Sequence, residues 1–136
     1  MIDFTQIMNE AKTAVETLSL SCDLFRRVDF DAIDRGGVGN DVTIQYLTPY
    51  PVVARVDTFA PPNAFIRWHG QCFVVIRRRG QIDHEAVVTA IVRRMVSAIL
   101  ADGECGDGSI AIDVSLAEEL DYCRIYNITL EWETRE

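Results

Sequence analysis

Between Ile66 and Ile76 the chain alternates strictly. Ile66, Trp68, Gly70, Cys72, Val74 and Ile76 fall on one side of an extended segment, and Arg67, His69, Gln71, Phe73 and Val75 on the other. Three arginines, Arg77 to Arg79, follow at once, and Gly80 permits a turn. From His84 to Ala101 the period then changes from two to about 3.6, with Val87, Val88, Ile91, Val92, Met95, Ala98 and Ile99 forming one broad apolar band. A long strand that turns into a long amphipathic helix within seven residues restricts the fold to a sheet with a helix laid against it. Asp83 is the natural N-cap of that helix.

The rest of the chain supplies partners for this pair. Asp3 is placed to cap an N-terminal helix, with Gln6 completing a capping box, and Phe4, Ile7, Met8, Ala11, Ala14, Val15 and Leu18 recur on one face of it. Residues 22 to 34, "CDLFRRVDFDAID", alternate only in part and fit a short strand, a helical turn or an ordered loop. "RGGVGND", with three glycines in four positions, predicts a loop. Val42, Ile44 and Tyr46 predict a strand that ends at "TPYP", and "VVARVDTF" predicts a second, interrupted by "APPNA". Beyond the loop "DGECGDG", Ile110, Ile112, Val114 and Leu116 alternate, and Tyr122, Tyr126, Ile128, Leu130 and Trp132 share one face of a last strand. No repeat or linker divides the 136 residues, which suit one domain. The expected fold is α+β: a mainly antiparallel sheet covered on one face by the N-terminal and central helices and solvated on the other.

Composition removes several function classes. No apolar run approaches the roughly 18 to 20 residues needed to cross a bilayer, and the N-terminal stretch lacks the form of a signal peptide, so no membrane partner and a cytosolic chain are expected. The four cysteines, Cys22, Cys72, Cys105 and Cys123, form no CxxC pair and are expected to be buried, inert thiols. His69 and Cys72 have the spacing of metal ligands, but no third ligand is suggested by spacing, and "RGGVGN" matches no phosphate-binding loop. Cys72 shares the strand's apolar side and His84 is expected as an exposed first-turn residue, so no catalytic, metal or cofactor-binding residue is assigned.

The charge is more informative. Formal net charge is −8 and the sequence pI is near 4.7, which opposes generic affinity for nucleic acid. Yet residues 66 to 94 hold six arginines against two acids, and residues 103 to 136 hold nine acids against two arginines. Lys12 is the only lysine. Arginine without lysine favours bidentate pairing with carboxylates. A head-to-tail contact between copies, with Arg77, Arg78 and Arg79 on one side and Glu131 and Glu133 on the other, would use both halves of the asymmetry and would close into a ring if the rotation allows. The alternative is a small nucleic-acid- or anion-binding module using the Arg77–Arg79 turn. A third reading is an enzyme whose site the sequence does not group.

In order of elements, the chain resembles the tail terminator proteins of long-tailed bacteriophages and prophages. An N-terminal helix, a proline-marked break, the strand "QCFVVIRRRG", the helix "IDHEAVVTAIVRRMVSAIL", then "SIAIDVS" and the aromatic-rich "YCRIYNITLEWE" carry the resemblance. It implies a structural protein of the virion tail, assembled in the bacterial cytoplasm. Such a subunit forms a hexameric ring, caps the tail tube and contacts head-completion proteins, with no enzymatic activity or cofactor. DNA would at most pass through the ring, which an acidic lumen would suit.

Overall fold

The computed structural model describes residues 3–27, 40–57, 63–78, 81–101 and 110–135. The glycine loop at 36–39, Gly80, Arg79 and the 102–109 loop with Cys105 lie outside the described residues. Two helices and six strands follow in the order α1 (Phe4–Glu16), β1 (Cys22–Arg26), β2 (Val42–Tyr46), β3 (Tyr50–Asp57), β4 (Asn63–Arg77), α2 (His84–Ala101), β5 (Ala111–Glu119) and β6 (Cys123–Arg135). The α+β fold expected from the alternating and helical periods is the one observed.

Both helices begin as their first residues dictate. Asp3 accepts from the backbone N–H groups of Thr5 (3.0 Å) and Gln6 (3.4 Å), and Asp83 accepts from that of Ala86 (3.1 Å). α1 stops at Glu16, two residues short of Leu18, and Ser19 takes a left-handed φ of 63°. Leu18 was expected on the buried face. Because the helix has already ended, it is 42% exposed instead.

The sheet runs β1-β2-β4-β6-β5, with β3 also paired to β4. β4 spans 15 residues and organises it: β6 accompanies Phe65–Arg77 on one side, while on the other β2 faces Cys72–Ile76 and β3 faces Asn63–His69. β2 and β3 therefore lie end to end, separated by Leu47–Pro49. β3 starts at Tyr50–Pro51 and shifts register between Pro51 and Val53, as befits a residue with no N–H to donate. Of the ambiguous segment after α1, residues 28–34 lie outside the described residues, and Cys22–Arg26 form β1, which is parallel to β2 in an otherwise antiparallel sheet. Its pairing is started by Ser21 and Asp41: the N–H and hydroxyl of Ser21 donate to Asp41 Oδ2 (3.0 and 3.2 Å), and the N–H of Asp41 donates to Ser21 Oγ (2.9 Å).

α1 and α2 lie side by side on one face, joined at the surface by Arg94 and Glu10 (3.0 Å). Beneath them Ile7, Met8, Val15, Ile91, Met95 and Ile99 meet Ile44, Cys72, Val74, Ile76, Ile128, Leu130 and Trp132 in one core. Phe4 stacks on Trp132 (5.6 Å between centroids, 7° between planes) and meets Tyr46 edge-on. Gly70 makes room for this contact. A Cβ there would lie 2.8 Å from Phe4 Cε2 and 3.0 Å from Trp132 Cζ3.

The opposite face departs from expectation. It was predicted to be solvated, but Val75, Cys123 and Ile125 form a second buried cluster with Phe73 and Leu120 against it, and Thr43 and Gln45 are also buried. Gln45 is satisfied in part by the guanidinium of Arg27, whose Nε donates to Oε1 (3.0 Å). All five residues of β2 are therefore buried although they alternate in polarity.

Candidate assembly surface

β5 pairs with β6 along its length, Ile112 opposite Leu130, Val114 opposite Ile128 and Leu116 opposite Tyr126. These three β5 side chains therefore point to the helix-covered face. Ile128 and Leu130 are completely buried there, whereas Val114 is 41% and Leu116 50% exposed. The helical cover ends between β6 and β5. The same strand leaves its outer edge without a partner among the described residues, and a register shift between Leu116 and Glu118 ends its regular alternation. A nine-residue edge strand with bare apolar side chains is a template for pairing with another chain. Asp113, on the other face, and Glu119 add negative charge at this margin.

The arginine turn sits elsewhere. Arg77 ends β4 opposite Cys123, and its N–H donates to the Asp41 carbonyl (3.0 Å). Arg78 is engaged within its own subunit: its N–H donates to the Tyr122 carbonyl (2.9 Å), its Nη1 to the Leu120 carbonyl (3.1 Å), and its guanidinium lies 3.5 Å from Glu119. Arg124 reaches the same Glu119 oxygen at 3.0 Å. Glu131 and Glu133 lie at the far end of the β4–β6 ladder, where Glu133 is opposite Arg67 and Glu131 lies 3.5 Å from it. Ten residues separate Arg77 from Arg67, about 33 Å of strand. The two charge patches are not brought together within one copy.

His84 also differs from expectation. It is half-buried at the start of α2, with Nδ1 3.3 Å from the Tyr126 hydroxyl, and was predicted to be exposed. Burial lowers its pKa, helped by Arg124 and Arg78, while the Arg77 carbonyl and Asp83 act the other way. Held beside the Tyr126 hydroxyl and the Arg77 backbone, the ring suits a structural clasp between β4, β6 and α2. The three described thiols are buried, and burial pushes both Cys72 and Cys22 up to about 12, and Cys123 upward too, which disfavours the reactive thiolate.

At the other end of the sheet, Phe4, Tyr46, Trp68, Pro49 and Trp132 line a cleft of about 300 Å³ with Arg26 among its walls. The Trp68 Nε1 donates to Thr134 Oγ1 (2.9 Å). The Asp3 carboxylate at this cleft caps α1, and the Tyr46 hydroxyl donates to Thr5 Oγ1 (3.4 Å). Among the described residues no three histidine, cysteine, aspartate or glutamate side chains group to hold a metal ion, and no helix is long and apolar enough to cross a membrane.

The exposure of β5 is the feature that sequence reasoning missed. The alternation of Ile110, Ile112, Val114 and Leu116 predicts a strand and its two faces, but not which face is covered. Compared with protein-family models and with curated proteins, the chain matches none.

Proposed function

We propose that this chain is a structural subunit that assembles with copies of itself into a ring, and that the ring caps a phage or prophage tail tube and joins it to the head. The observation that supports this most is the bare, open-edged strand β5, whose Val114 and Leu116 continue the core's apolar face beyond its helical cover. Apolar side chains held in register on an edge strand favour association through the sheet margin. Their chemistry calls for a protein neighbour. The resemblance in element order to tail terminators supplies the ring and the tail.

The arginine turn gives less support to a nucleic-acid module, because Arg78 and Arg124 already share Glu119 and the turn belongs to an acidic protein. Sedimentation velocity across concentration, with electron microscopy of the largest species, tests the proposal. Closed rings are expected. A strict monomer at the highest concentration, or salt-sensitive binding to DNA by a monomer that Arg78→Ala weakens, would overturn it.

A further inference from the structure

We infer that the sheet continues from copy to copy, with strand β5 of one subunit pairing antiparallel with strand β1 of the next. This inference rests on the ring-assembly reading and names the surface that performs it. β1 and β5 end the five-strand path through the described sheet, and β3, off that path, has its own outer edge beside β4. β1 runs parallel to β2, and three antiparallel pairings then lead through β4 and β6 to β5, so β5 runs opposite to β1. Head-to-tail placement of copies within one continuous sheet therefore sets β5 against the neighbour's β1 in antiparallel fashion. That arrangement gives each margin a partner of a different kind, as a heterologous ring requires.

The side chains select a register. Leu24 packs against the helix-covered core, Val114 and Leu116 point to the same face, and only a pairing that keeps faces matched leaves them on one side. Three such registers exist. Leu24 opposite Ile112 puts Asp23 against Asp113, two like charges, and Leu24 opposite Leu116 carries Asp23 into the irregular stretch before Glu118. Leu24 opposite Val114 sets Asp23 against Ser115 and Phe25 against Asp113. Arg27 lies over the Phe25 ring, 5.2 Å from its centroid, and its Nε donates to Gln45 on β2; in this register it stands diagonal to Asp113 on the same face, within reach of a long side chain that lets go of Gln45. Phe25, 39% exposed, gains cover on the far face at the same time. On the near face, the helix α1 belonging to the neighbour, seated beside β1, extends the helical layer over Val114 and Leu116. One junction thus covers the apolar margin and pairs an arginine with a carboxylate.

The pairing is tested by charge exchange. Asp113→Arg and Arg27→Asp are each expected to weaken assembly at least about tenfold, since each places like charges together. Mixed in equal amounts, the two proteins should assemble again, because every junction of an alternating ring then joins an arginine to an aspartate. The double variant in one chain should assemble too. Arg27 also holds Gln45, so folding of each variant is checked by circular dichroism, and a second measurement avoids the charge altogether. Residues directly opposed across antiparallel strands have Cβ atoms about 4.5–5.5 Å apart, close to disulfide reach. Phe25→Cys and Asp113→Cys proteins, mixed under mild oxidation, should therefore form a disulfide between positions 25 and 113 of different copies. Assembly of the unaltered protein without this cross-link, or without rescue in the mixture, overturns the strand pairing and leaves the ring reading standing. A unaltered protein that stays monomeric overturns both.

Discussion

Strands β5 and β6 carry nearly the same sequence pattern and have opposite fates. In each, apolar residues alternate with polar ones, and the two strands are hydrogen-bonded neighbours in the same sheet. β6 is flanked on both sides, and its Ile128, Leu130 and Trp132 are sealed beneath the helices. Among the described residues β5 is flanked on one side, and its Val114 and Leu116 remain half in solvent. Burial is thus set by position in the sheet and by where the helical layer stops, whereas alternation specifies only which way side chains point. An apolar stripe that one copy cannot cover is what an assembling subunit needs.

Truncating each strand separates the two roles. Ile128→Ala leaves a cavity in a closed core and is expected to cost about 2–5 kcal/mol in chemical denaturation. Val114→Ala, directly opposite it, should cost the isolated subunit less than about 0.5 kcal/mol and act on assembly instead. Equal losses at both sites would mean that β5 is as enclosed as β6. Gly70→Ala sharpens the β6 side of the contrast, because its Cβ would press on Phe4 and Trp132. Overpacking of this kind is expected to cost about 1–3 kcal/mol, read as a lower denaturation midpoint.

A smaller effect lies where α2 begins. The folded pKa of His84 is below the ordinary value near 6.5, so the unfolded chain takes up that proton first. Stability should be full above about pH 6.5 and fall as pH drops through that value towards the lower folded pKa. Histidine titration followed by NMR, with His84→Gln removing this share of the pH dependence, checks the sign. The smallest effect is expected from Arg78→Ala. Its guanidinium is partly exposed beside Glu119, and pairs of this kind contribute about 0–1 kcal/mol to stability.

Much of the fold was legible because periodicity and caps are local. Asp3 and Asp83 start their helices as their positions suggested, and β4 and α2 keep the faces that spacing assigned to them. What was illegible depends on tertiary closure. Leu18 leaves the core because α1 ends early, Tyr122 is exposed because it precedes β6 rather than belonging to it, and Thr43 and Gln45 are buried despite their polarity. The arginine turn was visible as a charge run, but its partners within the subunit, Glu119 and the Leu120 carbonyl, are set by the β5–β6 connection folding back on β4. The candidate surface was hidden for a similar reason: nothing in "AIDVSLAEE" states that no helix lies above it.

Amide hydrogen exchange along β5, followed as the protein is concentrated, tests most directly whether this strand is an interface. Those β5 amides that do not bond to β6 should exchange quickly in dilute protein and become protected on concentration, together with amides of β1, while β6 stays protected throughout. Exchange of β5 that is unchanged over a concentration range in which the protein assembles would contradict the account.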